Sequence, residues 1–247
     1  MIGSVRHAIN IINCFSTKTT ELGISELAAK LSMNRSTVHH LVSTLHQEGV
    51  LTKTANRKYR PGTQLLNWGN LVNEQYKSFF PANPVMEGLV KRSNETVHLA
   101  ILENESMSYL IKKEPYKSLR LPTGIGTQQP LYCTALGKTL LAYQSPKFIE
   151  KILAKGLEKR TENTIVTREA LLQELEQIRR QGYAIDNEEF EEGLFCIAAP
   201  VRDYLGNVVC ALSVSGPEIR MNTSRLRIRT EIVKENAAEI AKRCDFV

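Results

Sequence analysis

The sequence predicts an α+β fold in two parts, a small basic N-terminal domain and a larger domain that mixes strands with helices. Apolar residues recur at helical spacing through the first 50 residues, and strand pairs flanked by helices follow Pro81 and Pro84. Residues 1–80 hold nine Lys and Arg against four Asp and Glu, a net charge of +5, which leaves +1 for the remainder. We therefore divide the chain into residues 1–62, a linker helix over 63–80, and residues 81–247.

The composition excludes several classes of protein. No apolar run in the 247 residues approaches the roughly 18 needed to cross a bilayer, and the N-terminus lacks the apolar stretch of a signal peptide. The cysteines are scattered without a CxxC pair: Cys14, Cys133, Cys196, Cys210 and Cys244. We therefore expect a cytoplasmic protein with free thiols, no membrane association, no structural metal site and no cofactor.

Three helices are predicted in the N-terminal domain. The first spans residues 5–15 with Ser4 as its cap. The second lies within the stretch 24–31, with Ser25 as a plausible cap and Leu27, Ala28 and Leu31 at helical spacing. After a turn at residues 32–34, the third helix spans residues 35–48 and stops at Gly49. A tight turn between two short helices leaves the N-terminal outer face of the second one bare. That face predicts contacts to DNA bases and phosphates through Asn34, Arg35, Ser36, Thr37, His39 and His40.

A basic hairpin follows the third helix. Residues 50–53 and 58–60 are predicted as two short strands around residues 54–57. A helix-turn-helix followed at once by such a hairpin is the winged-helix pattern. We expect Lys53, Arg57 and Lys58 to reach along the DNA phosphate backbone or into the minor groove, although a solvated turn explains any one of these charges as well.

The linker helix is predicted to be strongly apolar. Within 18 residues it carries eight large apolar side chains: Leu65, Leu66, Trp68, Leu71, Val72, Tyr76, Phe79 and Phe80. Such a helix needs a partner, either the second domain or another subunit. We favour dimerisation, because two copies read two half-sites on DNA and one copy contacts too little of it.

The second domain is predicted as a sheet with flanking helices. Strands are expected at residues 96–102, 107–112, 119–121, 196–201 and 208–215, and helices at 86–93, 167–181, 224–244 and from Ser145-Pro146.

Three features of this domain suggest ligand binding. Thr134 can cap a following helix and leave the amides of Ala135 and Leu136 free to hold a carboxylate or phosphate. Period-two alternation puts Ser213 and Ser215 on one strand face, where they either orient a polar ligand or simply meet solvent. The acidic run over residues 186–193 does not have the spacing of a calcium loop and favours a solvated surface.

An enzyme is the alternative of another class. It would use Cys196 as a nucleophile, or His98 with Asp186 at a metal. Cys196 begins an apolar strand, which favours a small core residue, and His98 sits in a strand without an evident partner.

Over essentially its full length the chain resembles the IclR family of bacterial and archaeal transcription regulators. The matching stretches include GISELAAKLSMNRSTVHHLVSTLHQEGVL, PLYCTALGKTLLA, GYAIDNEEFEEGLFCIAAPV and GNVVCALSVSGP. The resemblance implies a GAF-like effector domain, dimers or dimers of dimers, and no catalysis. It also implies an effector pocket formed by Ser118, Leu121, Ala135, Leu136, Asp186, Leu194, Cys196, Ser213 and Ser215.

We therefore expect a transcription regulator, a repressor rather than an activator, that binds double-stranded operator DNA. A small carboxylate or sugar acid in the C-terminal domain is expected to modulate that binding. Residues 160–201 also resemble members that sense sugar-acid breakdown products such as 2-keto-3-deoxygluconate, although Phe195 stands where many relatives carry Arg. The remaining alternative is a DNA-binding protein whose second domain is structural and binds no ligand.

Overall fold

The computed structural model describes residues 2–116, 123–222 and 224–246. The chain divides into two compact units, Met1–Lys77 and Ser78–Val247. The predicted strand at 119–121 lies outside the described residues.

The N-terminal unit is a three-helix cluster with a two-stranded wing. Its elements are α1 (Gly3–Asn13), α2 (Ile24–Leu31), α3 (Arg35–Gln47), β1 (Leu51–Lys53), β2 (Tyr59–Pro61) and α4 (Thr63–Gln75). Side chains from α1, α2, α3 and both strands share one core, with Ile11, Leu27, Val38 and Val42 fully buried. The winged helix-turn-helix is therefore present as predicted.

Two predicted caps in this unit are wrong. Helix α1 begins at Gly3 after Ile2, so Ser4 lies inside the helix rather than before it. Helix α2 begins after Gly23, because Glu26 in its first turn accepts a hydrogen bond of 2.6 Å from the Gly23 N–H. The carboxylate thus satisfies the amide at the helix start without a serine cap.

The linker helix is shorter than its apolar pattern suggested. Helix α4 ends at Gln75, and a 3₁₀ helix runs from Lys77 to Ala82. Pro81 explains the change, because its ring would clash with the carbonyl of Lys77 in a continuous α-helix.

The C-terminal unit is built on an antiparallel sheet of six strands in the order β5-β4-β3-β8-β7-β6. The strands are β3 (Thr96–Glu103), β4 (Ser106–Lys113), β5 (Gln128–Gln129), β6 (Ala184–Asn187), β7 (Leu194–Arg202) and β8 (Val208–Pro217). The helices are α5 (Asn83–Ser93), α6 (Ala135–Ala142), α7 (Pro146–Leu153), α8 (Arg168–Gln181), α9 (Glu218–Met221) and α10 (Leu226–Arg243).

Helices cover both faces of this sheet. Helix α6 packs on β3, β4, β6, β7 and β8 and against α8, and the core that it shares with α8 includes Leu140, Leu171 and Leu175. Helices α5 and α10 pack together on the opposite face. The pleat separates neighbours in sequence, so that Cys196 faces α6 while Ile197 faces α10.

Sequence patterns identified most of these elements but not all of them. Strand β6 was not predicted, and it ends inside the acidic run expected to be a solvated surface. That expectation is wrong for Asp186 and Glu189, which are 1% and 7% exposed. Strand β5 and helix α9 were not predicted, and the last helix begins at Leu226 rather than at residue 224.

Candidate DNA-binding surface and ligand pocket

The start of α3 presents a polar face to solvent, which we call the recognition face. Its members are all exposed: Asn34, Arg35, Ser36, Thr37, His39 and His40. Val38, in the middle of this run, is fully buried and fixes the rotation of α3 against the core. No acidic residue lies in the first turn of the helix, so its N-terminal amides add to the attraction for phosphate.

Two of the three predicted basic residues of the wing are exposed to solvent. Lys53 and Arg57 are exposed, and Arg57 adopts a left-handed conformation, φ 59°, at the tip of the turn. Lys58 instead forms an ion pair of 2.9 Å with Glu26 of α2. Its charge is therefore partly neutralised within the unit, which leaves Lys53 and Arg57 as the stronger candidates for phosphate contacts.

A histidine that the sequence patterns did not single out connects α3 to the wing. The Nδ1–H of His46 donates to the carbonyl of Leu51 at 3.1 Å, and its ring packs edge to face on Tyr59. These contacts hold the wing at a set angle to the recognition helix. The signal was the position of His46 in the last turn of α3, next to β1.

Seven of the nine predicted effector residues line one pocket in the C-terminal unit, between α6 and the sheet. They are Ala135, Leu136, Asp186, Leu194, Cys196, Ser213 and Ser215. Ser118 and Leu121 belong to the part of the chain that is not described. We call this cavity the ligand pocket; His98, Tyr109, Thr123, Thr134, Phe190 and Glu191 also line it.

The start of α6 forms one wall of the ligand pocket. Thr134 caps the helix as predicted, because its Oγ1 accepts from the Gly137 N–H at 3.0 Å. The Lys138 N–H bonds to the carbonyl of Thr134, so the cap leaves the first two amides, those of Ala135 and Leu136, for another acceptor. This end of the helix suits a carboxylate.

The sheet forms the opposite wall of the ligand pocket and contributes polar groups to it. Ser213 and Ser215 are 0% and 5% exposed, so the alternative that they merely meet solvent is wrong. His98 stands directly across from Ser213 on the neighbouring strand. Within the described residues, Ser213 Oγ and His98 Nδ1 are buried without a hydrogen-bond partner. Buried polar atoms rarely lack partners, so these two point to a group that enters the pocket.

His98 has a hydrogen-bond partner that could not be identified from the sequence. Its Nε2 lies 2.9 Å from the Thr123 hydroxyl, and its ring packs on Tyr109 with centroids 4.7 Å apart. Burial, with the charge of Lys112 as a smaller contribution, lowers the pKa of His98 to about 3. The imidazole is therefore neutral and offers the pocket a hydrogen bond rather than a charge.

Asp186 brings a carboxyl group that changes protonation near neutrality. Burial raises its pKa to about 7, and the charge of Glu189 adds to the shift. Its Oδ1 accepts from the backbone N–H of Glu189 at 2.8 Å and of Phe190 at 3.3 Å. A protonated Asp186 can donate to an anionic ligand, whereas an ionised one would repel it.

A buried ion network supports this wall from behind. Lys138 is 1% exposed, and its Nζ lies 2.8 Å from Glu174 and 2.5 Å from Glu189. Burial by itself lowers the pKa of Lys138, but the carboxylates of Glu189 and Glu174 outweigh that effect and raise it. The charged amine thereby anchors the segment that leads from Asp186 to Phe190 and Glu191.

The described lining leaves a free volume of about 20 Å³ at the centre of the ligand pocket, room for about one water molecule. An organic acid of several carbon atoms would exceed this volume and could enter only if side chains of the lining moved. Phe190 in this lining is partly buried, with the Arg160 guanidinium 4.7 Å from its ring centroid.

The chemistry of the pocket does not support the enzyme alternative. Burial raises the pKa of Cys196 well above its usual value, so the thiol is protonated and weakly nucleophilic. In the described portion of the chain, no group of three His, Cys, Asp or Glu residues is arranged to hold a metal ion. The described helices also include none with the length and apolar character of a transmembrane span.

The fold and these two surfaces define a class of protein. A winged-helix unit with a polar recognition face shares its chain with an α/β unit that holds a polar pocket. This is the arrangement of a transcription regulator that responds to a ligand.

Comparisons with known proteins establish the family. A family model described as bacterial transcriptional regulator IclR C-terminal matches residues 79–242, and one described as IclR helix-turn-helix domain matches residues 4–55. The chain therefore belongs to the IclR family. Because the family consists of transcription regulators, the protein is a DNA-binding regulator with an effector-binding domain and not an enzyme, as predicted.

Individual relatives agree with this assignment. The HTH-type transcriptional regulator KdgR of Escherichia coli (strain K12) is 35% identical over 248 residues, which cover 99% of this chain and 94% of that protein. The HTH-type transcriptional regulator BhcR of Paracoccus denitrificans (strain Pd 1222) is 32% identical and covers 97% of this chain and 86% of its own. The crystal structure of Thermotoga maritima IclR superposes with a TM-score of 0.82 at 30% identity over the whole of both chains.

Proposed function

We propose that this regulator binds operator DNA as a dimer and senses a small carboxylate, of the sugar-acid class, in the ligand pocket. The observation that carries the proposal is a convergence of groups that have no hydrogen-bond partner among the described residues: the amides of Ala135 and Leu136, and the buried Ser213 Oγ and His98 Nδ1. A ligand with a carboxylate at one end and hydroxyl or keto groups at the other satisfies both sets.

The two ends of the ligand have different partners in this proposal. The carboxylate accepts from the α6 amides, and the helix dipole stabilises its charge. The remaining oxygens bond to Ser213, Ser215 and neutral His98, while Asp186 donates when it is protonated. The lining contains no Lys or Arg among the described residues, so a single negative charge suits it better than a phosphate with two.

Helix α4 supports the dimer. It has no buried residue, and Leu66, Trp68, Leu71 and Val72 are between 46% and 67% exposed. Trp68, Leu71 and Val72 follow one another at helical spacing and form an apolar stripe that a second copy of α4 can cover. The dimer brings two recognition faces to two half-sites.

DNA binding tests the function. Fluorescence anisotropy with the DNA upstream of the protein's own coding region, in the presence and absence of sugar acids such as 2-keto-3-deoxygluconate, measures the coupling. The effector should change the apparent Kd by about 5- to 150-fold. An operator affinity unchanged by every acid that calorimetry shows to bind would refute the coupling.

A matched pair of variants tests the pocket. Ser213→Ala removes a hydroxyl that faces the pocket and should weaken acid binding by about tenfold. Ser224→Ala removes an exposed hydroxyl just before α10 and should leave the affinity for the acid unchanged. Equal affinities for the two variants would place the acid elsewhere.

A further inference from the structure

A second cavity lies on the other face of the sheet from the ligand pocket. Its floor is formed by Ile197 and Val214, a cross-strand pair of β7 and β8, and its walls come from α5 and α10. Because successive residues of a strand face opposite sides, Ile197 and Val214 point away from Cys196 and Ser213, which line the ligand pocket. The two cavities are therefore separated by the thickness of the sheet.

This cavity is lined by apolar side chains and by arginines, and we call it the arginine cavity. Its apolar lining is Leu89, Ile197, Val214, Met221, Ile228, Ile232 and Val233, its charged lining is Arg92, Arg225 and Arg229, and Ser93 also lines it. No Asp or Glu belongs to the lining among the residues that the structure describes. The free volume is about 190 Å³. A cavity of about 150 Å³ in a protein interior is already large enough for benzene.

Positive charge also collects at the start of the helix that forms one wall of this cavity. Arg227 and Arg229 lie in the first turn of α10, which contains no acidic residue. Cations at the N-terminus of a helix oppose its dipole, so an anion bound beside Arg229 would offset an unfavourable placement. Arg229 donates one N–H to the sulfur of Met221 at 3.0 Å, and a thioether is a weak acceptor.

We propose that the arginine cavity binds an organic carboxylate with an apolar body, an aryl acid or a compact acyl acid of similar size. The ring or chain fills the space over Ile197 and Val214, and the carboxylate meets Arg229 and Arg92 at the rim. Arginine suits that role because its planar guanidinium pairs with a carboxylate through two parallel hydrogen bonds. The site is separate from the ligand pocket in both position and chemistry.

Benzoate titrated into the full-length protein is the test. Methyl NMR of the wild-type chain should show shifts at Ile228 and Ile232, and calorimetry should give an affinity that falls by about tenfold or more in Arg229→Met. Arg227→Met is the matched control, because it removes the same charge from the same turn at a position outside the lining; its affinity should change by less than about twofold. Benzamide, which has the same ring without the charge, should bind more weakly than benzoate.

The same measurements distinguish this site from the proposed effector site. Ser213→Ala should leave benzoate binding intact, since that residue faces the other side of the sheet. The proposal is overturned if benzoate shifts only the methyls of Leu136 and Leu194 in the ligand pocket, or if Arg229→Met binds benzoate as wild type does. The wild-type NMR titration decides the location even if a variant loses stability.

Discussion

Replacing Lys138 with methionine should destabilise the effector-binding domain severely. The amine is almost completely buried and pairs with Glu189, which is itself 7% exposed, and with the more accessible Glu174. One oxygen of Glu189 already has no hydrogen-bond partner among the described residues. Removing the cation would leave this carboxylate buried without its counter-charge.

The size of the effect follows from the burial. Breaking a buried ion pair by removing one partner costs about 3–5 kcal/mol, because the remaining charge loses its compensation. Glu174 can turn toward solvent, so only Glu189 contributes fully and we expect about 3 kcal/mol for Lys138→Met. Adding Glu189→Gln should recover most of that loss, since a neutral amide is cheaper to bury than a lone carboxylate.

Urea unfolding of the full chain, followed by far-ultraviolet circular dichroism, measures these changes. Lys234→Met is the matched control, because Lys234 forms a partly exposed pair with Glu231 on α10 and should cost less than about 0.5 kcal/mol. A loss below about 1 kcal/mol for Lys138→Met, or no recovery in the double variant, would mean that the network is hydrated and the reasoning is wrong.

Three further predictions concern the remaining surfaces. Arg35→Ala should weaken operator binding by about 1–3 kcal/mol in anisotropy, and Lys18→Ala, which removes a positive charge outside the helix-turn-helix, should not. Because the folded-state pKa of Asp186 is raised to about 7, its stabilising contribution is full below the unfolded value near 3.8 and is lost as pH rises through about 7. Asp186→Asn should therefore flatten the fall in unfolding free energy between pH 4 and pH 7, and an unchanged slope would mean that Asp186 is ionised throughout. Leu71→Asp should convert the dimer to monomer in light scattering, whereas Asn70→Asp should not, and a dimer that survives Leu71→Asp would exclude α4 as the interface.

Elements with strong local signals could be predicted from the sequence. Helix α8 has a Thr167 cap, an apolar stripe and a terminal Gly182 in the left-handed conformation. Each end of the helix is therefore determined by the residue at that end. Helix α6 was placed by Thr134 for the same reason. Where two local signals compete, the prediction failed: Gly23 and Glu26 start α2 although Ser25 is the better cap by residue type.

Features set by distant residues could not be predicted. Strand β6 carries a buried aspartate, which is tolerated only because two backbone amides and the Lys138 network surround it. His98 lacked an evident partner because Thr123 lies 25 residues away, and only the fold brings the two together. The same holds for the arginine cavity, whose charges come from two helices more than 100 residues apart in sequence.

The register of β8 determines both sites at once. A shift of the β8 register by one residue would turn Val214 into the ligand pocket and place a serine hydroxyl against α10. Such a shift is unfavourable on both faces of the sheet. Glu95 makes further contacts near the end of β8. Its carboxylate forms two hydrogen bonds with Arg220, at 2.7 and 2.8 Å, and lies so near Gly216 that a Cβ there would stand 2.4 Å from Glu95 Oε2. A larger residue at 216 would have to displace the Glu95 carboxylate from this position, and Gly216 directly follows Ser215 of the ligand pocket.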